Sequence, residues 1–173
     1  MTIHDTHPFA DPEPEPSRRL RGRLGGAVTL WTSGDGATRA GLTVTSVMLA
    51  QGPEPALLAL LDPDADLTET LAAEETAVVS LLGWADRGLA EAFAGTAPAP
   101  GGPFRAADFE QTAWGPRLAS GTTWAGVRLV DERPQGWSSL VTCRLEHVEV
   151  GDDPSTGALA HRRGRFLRLG SGS

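Results

Sequence analysis

The sequence predicts a mainly β protein, an antiparallel barrel or sandwich with a few helices attached. Read by hydrophobic periodicity, its segments run strand, strand, strand, helix, strand, helix and then three more strands, without the regular alternation that a doubly wound parallel sheet needs. Its 21 Gly and 13 Pro in 173 residues favour a fold rich in turns and strands over a helical bundle. Gly34-Asp35-Gly36, between two alternating segments, is a hairpin signal because these residues tolerate positive φ.

Residues 1–16, which contain HPFADPEPEP, carry too little apolar surface to repay the entropy of ordering and are expected to be a disordered leader; residues 17–170 form the domain. Ser17 is placed to N-cap a short Arg-rich helix to about Leu24, with Gly25 and Gly26 ending it. Gly26 to Ser33 alternates as a strand. The next strand alternates cleanly from Leu42 to Thr45 and then slips at Ser46, where Val47, Met48 and Leu49 follow as consecutive apolar residues. Either a bulge rotates the chain there or both faces are covered beyond it. PALLALLD, Pro55 to Asp62, is apolar on both faces and reads as an internal strand.

Asp66 or Thr68 is placed to cap a helix through about Glu75, with Glu69 in the first turn, where the helix dipole favours an acid. AVVSLLG, Ala77 to Gly83, reads as another internal strand. DRGLAEAFAG sets Leu89, Ala90 and Phe93 at helical spacing and stops at Gly95. Ala106 to Ser120 is poorly patterned and reads as a helical turn and a loop. TTWAGVRLVDE, GWSSLVTCRLEHVEV and ALAHRRGRFLRL close the chain as three β segments, with Val127, Leu129, Leu140, Cys143, Leu145 and Val148 as candidate core positions.

The formal net charge of -7 disfavours a nucleic acid or an anionic membrane as partner, since both require a basic face. Two arginine clusters, Arg18, Arg19, Arg21 and Arg23 near one end and Arg162, Arg163, Arg165 and Arg168 near the other, read as solvated faces. Cys143 is the sole cysteine, so no intrachain disulfide forms, and a buried inert thiol in a reducing compartment is expected. No apolar run reaches about 18 residues. With no basic-then-apolar start either, the expected location is cytoplasmic.

Catalytic motifs are missing. Gly34 to Arg39 lacks the third glycine of a dinucleotide fingerprint, and no phosphate-binding loop or nucleophile elbow occurs. His4 and His7 lie in the leader without a partner, and His147 and His161 are far apart in sequence, so no metal site is expected. An enzyme built on this chain would need a bound cofactor for its chemistry.

The order of segments nevertheless resembles a known family. Gly41-Leu42-Thr43-Val44-Thr45-Ser46, the Pro turn, the apolar strand ending at Asp62, AVVSLLG and GLAEAFAG are similar to the spaced series of the flavin reductase-like family, whose typical forms are G-x-T-x-S-S, F-A-V-N-V-L and L-A-x-x-F-A. Pro103-Phe104, WGPRL at Trp114 to Leu118 and GRF at Gly164 to Phe166 extend the resemblance over about Leu20 to Leu169. It implies an antiparallel Greek-key split β-barrel that binds FMN, with FAD as the alternative flavin, NAD(P)H as co-substrate and flavin reduction as the activity. An electron carrier without reductase activity is the second function it allows. It further implies a homodimer with the flavin at the interface, and a monooxygenase as a partner. Thr43, Val44, Thr45 and Ser46 would meet the flavin ring and ribityl chain.

Departures from the family pattern are specific. The phosphate loop, usually rich in Ser and Thr, reads DPDADLT from Asp62 to Thr68; its acids oppose a dianion, leaving Thr68 and backbone N–H groups as donors. Ser80 stands where the family has Asn. Arg39, Arg87 and Arg165 are candidate counter-charges. Gly136-Trp137 replaces a Gly-Asp-His segment that places a histidine beside the nicotinamide, so Trp137 would stack on a ring or fill the barrel mouth.

Overall fold

The structure is a computed structural model that describes residues 15–170. The expectations for most of the leader, and for His4 and His7, lie outside these residues. A first helix, α1 (Pro16–Leu24), leads into β1 (Gly26–Ala27), β2 (Thr29–Ser33), β3 (Ala40–Val44), β4 (Val47–Ala50) and β5 (Ala56–Leu61). Then come α2 (Asp66–Glu74), β6 (Thr76–Leu81), α3 (Arg87–Ala94), β7 (Phe109–Thr112), β8 (Gly115–Leu118), β9 (Trp124–Gln135), β10 (Ser138–Glu149), β11 (Ala158–Arg162) and β12 (Arg165–Leu169).

Seven strands make one antiparallel sheet in the order β3-β2-β6-β9-β10-β5-β4. Its two edge strands are consecutive in the chain, separated only by Thr45 and Ser46. Three peptide steps from Val44 to Val47 span at most about 11 Å. Laid flat, seven strands would put those edges roughly 29 Å apart. The sheet therefore has to curl until its edges meet, and the result is a barrel. The slip at Ser46 is thus a change of edge: Val44 pairs with Thr29 on one side, and Val47 pairs with Ala59 on the other.

Strand β2 shows how the curled sheet is covered on both faces. Trp31 points into the barrel with Leu61, Val79, Val127, Val141 and Cys143, and α2 contributes Leu67 and Leu71 to that interior. Leu30 packs outside the barrel with Val28, Phe93 of α3, Leu118 and Leu159. Phe93, Phe104 and Phe109 meet edge to face there, with centroids 4.9 to 6.0 Å apart. Gly41 permits this approach, since a Cβ on it would lie 2.5 Å from Cε1 of Phe93. The helix from Arg87 to Ala94 buries Leu89, Ala90 and Phe93, as their spacing predicts.

Several local expectations are corrected. Ser17 lies inside α1, whose N-cap is Glu15 without a side-chain bond. Asp66 and Thr68 do not cap α2; Ala65 does, and the Thr68 hydroxyl donates instead to the Asp62 carbonyl at 2.6 Å. The segment read as loop around 106–120 holds the β7–β8 hairpin, whose shared Phe, Trp and Gly obscured the alternation. ALAHRRGRFLRL is two strands joined at Arg163-Gly164, both at positive φ, the requirement of a two-residue primed turn. Of the candidate core positions, Val127 and Cys143 are fully buried, and Leu129 and Leu145 pack against the interior. Leu140 is half-buried on the outer face. Val148 is 51% exposed, because beyond Arg144 strand β10 has lost its β5 neighbour.

Candidate functional site

A groove of about 780 Å³ opens on the outer face of the sheet where its two edges meet. Thr45 and Ser46 line it. Val47 and Met48 of β4, Leu58 and Leu60 of β5 and Leu140 of β10 give it an apolar floor, and α1 and the β11–β12 turn make the opposite wall. The floor follows from pairing: Met48 faces Leu58, and Leu60 faces Leu140, so outward-pointing side chains of three adjacent strands form one patch.

The corner is held from both sides. Thr29 Oγ1 donates to the Val44 carbonyl at 2.6 Å, and the Ser46 carbonyl accepts from the Leu60 N–H at 3.1 Å. Behind it, a Cβ on Gly26 would sit 2.7 Å from the Thr45 carbonyl oxygen, so the chain leaving α1 needs glycine there. Gly25, at φ 62, ends the helix and sends its N–H to the Arg21 carbonyl.

Helix α1 buries no residue of its own. It is docked by the turn after β11, where the Arg163 N–H donates to the Gly22 carbonyl at 2.8 Å and Arg162 Nε donates to the Arg23 carbonyl at 2.9 Å. The two arginine clusters, separate in sequence and read there as solvated faces, converge on this wall. Arg18, Arg21, Arg163 and His161 line the groove, and among the described residues no Asp or Glu does.

Only part of the predicted site is gathered here. Thr45 and Ser46 line the groove, whereas Thr43 turns to α3 and donates to the Ala90 carbonyl at 2.6 Å, and Val44 faces the barrel interior. The Asp62–Thr68 loop closes on itself, with the Asp64 N–H bonded to Asp62 Oδ1 at 2.9 Å. Ser80 is buried in β6. Arg39 lies over the Phe104 ring, and Arg87 lies over Trp84 while donating to its carbonyl at 2.6 Å. Arg165 joins Arg162 and Arg163 at a smaller neighbouring cavity. Trp137, at the tip of the β9–β10 hairpin, is 86% exposed and borders a separate hollow with Pro63 and Pro134. Sequence reasoning missed Arg18, Arg21, Arg163 and His161; the arginine runs were the available signal, but nothing local said that they meet.

A second polar cluster lies across β9 and β10. Glu146 accepts from Arg128 at 2.7 Å, from Trp114 Nε1 at 2.9 Å and from Arg144 at 3.2 Å. These donors, Arg128 foremost, hold its carboxyl down at about 2. Trp124 and then His147 lower Glu149 in the same way. His147 stacks on Trp114 at 5.2 Å. Among the described residues no group of three or more His, Cys, Asp or Glu side chains could hold a metal, and no buried side-chain polar atom lacks a partner.

The curled antiparallel sheet thus carries a groove that combines small hydroxyls, an apolar floor and a cationic wall. The chain belongs to the family of the flavin reductase like domain, whose model matches residues 21–170. Its fold is similar to that of the solved flavin reductase PheA2, at 18% identity and a TM-score of 0.80, covering 92% of this chain and 99% of that one. It is also similar to the NADH:FAD oxidoreductase SgcE6 of Streptomyces globisporus C-1027, at 22% identity and 0.78, covering 92% and 96%. BorF, the flavin reductase component of a bacterial two-component tryptophan halogenase, matches at 22% and 0.78, covering 90% and 97%. No curated protein matches the sequence.

Proposed function

We propose that this chain is an NAD(P)H:flavin oxidoreductase that binds FMN, or FAD as the alternative, in the groove at Thr45–Ser46. The single observation that carries the reading is the coincidence of the family's T-x-S-S position with the one large groove described here. The residues fit such a ligand: an apolar floor for a ring, small hydroxyls where a backbone must approach it closely, and cations for phosphate. Flavin when bound supplies the hydride acceptor that no side chain of this protein provides. The chain's own task is to orient the ring on the floor of Leu58, Leu60 and Leu140 and to exclude water from that face. SgcE6 is described as an NADH:FAD oxidoreductase and has been solved with NAD and FAD fragments, which supports a nicotinamide donor and keeps FAD in contention.

In this reading residues 17–170 act as one domain and the protein works as a cytoplasmic homodimer. Met48, Leu49, Leu60 and Leu81 are exposed, more outward apolar surface than a small barrel covers alone, and a second copy would close the groove. No described helix is long and apolar enough to cross a membrane. A two-component monooxygenase is the natural consumer of the reduced flavin; BorF is such a component for a halogenase. One observation favours a flavin carrier without reductase activity instead: Trp137, at the position of the family's histidine, lies outside the groove of its own chain.

The test is the visible spectrum of the purified protein with added FMN and FAD, beside NADH oxidation and light scattering. A dimer with a perturbed flavin spectrum and NADH turnover is expected, and the double variant T45L/S46L should fold but bind no flavin. Undiminished flavin affinity in that variant would remove the site from the groove. Bound flavin without turnover would make the protein a carrier.

A further inference from the structure

We propose that Arg18, Arg21 and Arg163 form a phosphate-binding rim on the groove, so that its ligands are phosphate esters and not neutral ring compounds of the same shape. The proposal rests on the groove being the flavin site and adds how the ligand's charge is read. In a chain with 22 acidic and 15 basic residues, a groove lined by three arginines and, among the described residues, no carboxylate is a local inversion of charge. Arg18 and Arg21 stand three apart on α1 and so share one face of it. Arg163 is tied to that helix through its own N–H and the Gly22 carbonyl, which brings the third guanidinium to the same wall.

Two further observations point the same way. None of the three arginines forms an ion pair among the described residues, which leaves their guanidinium groups open to an anion. And α1 contributes nothing to the core, so the contacts that dock it maintain a wall and not a packed interior. The loop after β5 is poorly suited to the task. It carries Asp62, Asp64 and Asp66, and its Thr68 hydroxyl and Asp64 N–H are already bonded within it. The cations and the apolar floor line the same groove, so a ring on the floor would have its phosphate tail within reach of them.

The phosphate belongs either to the flavin or to the nicotinamide dinucleotide, and binding measurements separate the two. Dissociation constants for FMN, riboflavin, ADP and inorganic pyrophosphate are measured on the wild type, R18Q/R21Q and R163N, since Asn tolerates the left-handed turn position of Arg163. The expected result is a loss of roughly 10- to 100-fold for FMN with riboflavin changed less than about threefold. Loss of ADP binding as well would assign the rim to the dinucleotide too; a loss confined to FMN would assign it to the flavin's phosphate. Equal weakening of FMN and riboflavin, or unchanged FMN binding, overturns the rim. If the wild type binds neither flavin, the proposed function fails by itself. Pyrophosphate binding that disappears in R18Q/R21Q then sustains the rim, and its absence or persistence refutes it.

Discussion

Replacing Gly126 by Ala places a Cβ 2.3, 2.6 and 2.7 Å from Cδ2, Cε3 and Cε2 of Trp114. Contacts become ordinary only near 3.4 Å, so the indole must retreat by about 1 Å, the difference between 3.4 and 2.3 Å. It is not free to do so, being bonded through Nε1 to Glu146 at 2.9 Å and stacked on His147. Overpacking of this kind costs about 1–3 kcal/mol. The lost freedom of the unfolded chain returns about 0.4–1 kcal/mol. A net loss of about 1.3 kcal/mol lowers Tm by roughly 3–5 °C in a chain of this size. Thermal unfolding of Gly126→Ala, Trp114→Ala and the double variant, followed by circular dichroism, measures it. With the indole gone the alanine should cost nothing, giving a coupling of about 1–3 kcal/mol. Additive effects, or a wild-type Tm for Gly126→Ala, would refute the packing argument.

Cys143 should resist thiol reagents in the folded protein, because burial above all, with the charge of Glu132, pushes its thiol up to about 12; rapid labelling at pH 8 would contradict this. The neutral thiol's contribution to stability is complete below its ordinary value of 9.0 and is lost as pH rises toward 12. Glu146 has the opposite sign: its contribution is present above 4.5 and is lost as pH falls toward 2, so Tm measured from pH 6 to pH 2 should fall less steeply in Glu146→Gln, and an identical acid limb would exclude it. Trp137→Ala should leave Tm unchanged, since the side chain is 86% exposed. Trp137→His should lower KM for NADH by roughly ten- to a hundredfold if a charge-assisted contact is regained, with kcat little altered; no NADH oxidation by the wild type, Trp137→Ala or Trp137→His, with flavin bound, would reject this.

What could be read from the sequence was whatever leaves a local signature. Period-two alternation located β2 and β3, short runs apolar on both faces located β5 and β6, and helical spacing located α3, because each buries surface that its own residues define. The β7–β8 hairpin was hidden, since Trp114 and Gly115 serve packing against distant strands and break the alternation. The site divides the same way. Thr45 and Ser46 announced themselves by a broken pattern, but the cationic wall depends on α1 meeting the β11–β12 turn across more than a hundred residues, and no local pattern encodes that encounter. Of the four residues Thr43 to Ser46, only Thr45 and Ser46 line the groove, because Thr43 is bonded to α3 and Val44, on the other face of β3, turns into the barrel interior.

The two-residue step from β3 to β4 is also a clasp on the barrel, since one short covalent link holds together strands from opposite ends of the sheet. Whatever sits at that corner rests against a clasp. A ligand there stabilises the closed sheet against opening, by about 2.7 kcal/mol when present at a hundred times its dissociation constant. The clasp is absent from any partly unravelled form, so such a form has no corner at which to hold the ligand. Occupancy of the groove and closure of the barrel are therefore one equilibrium seen from two sides.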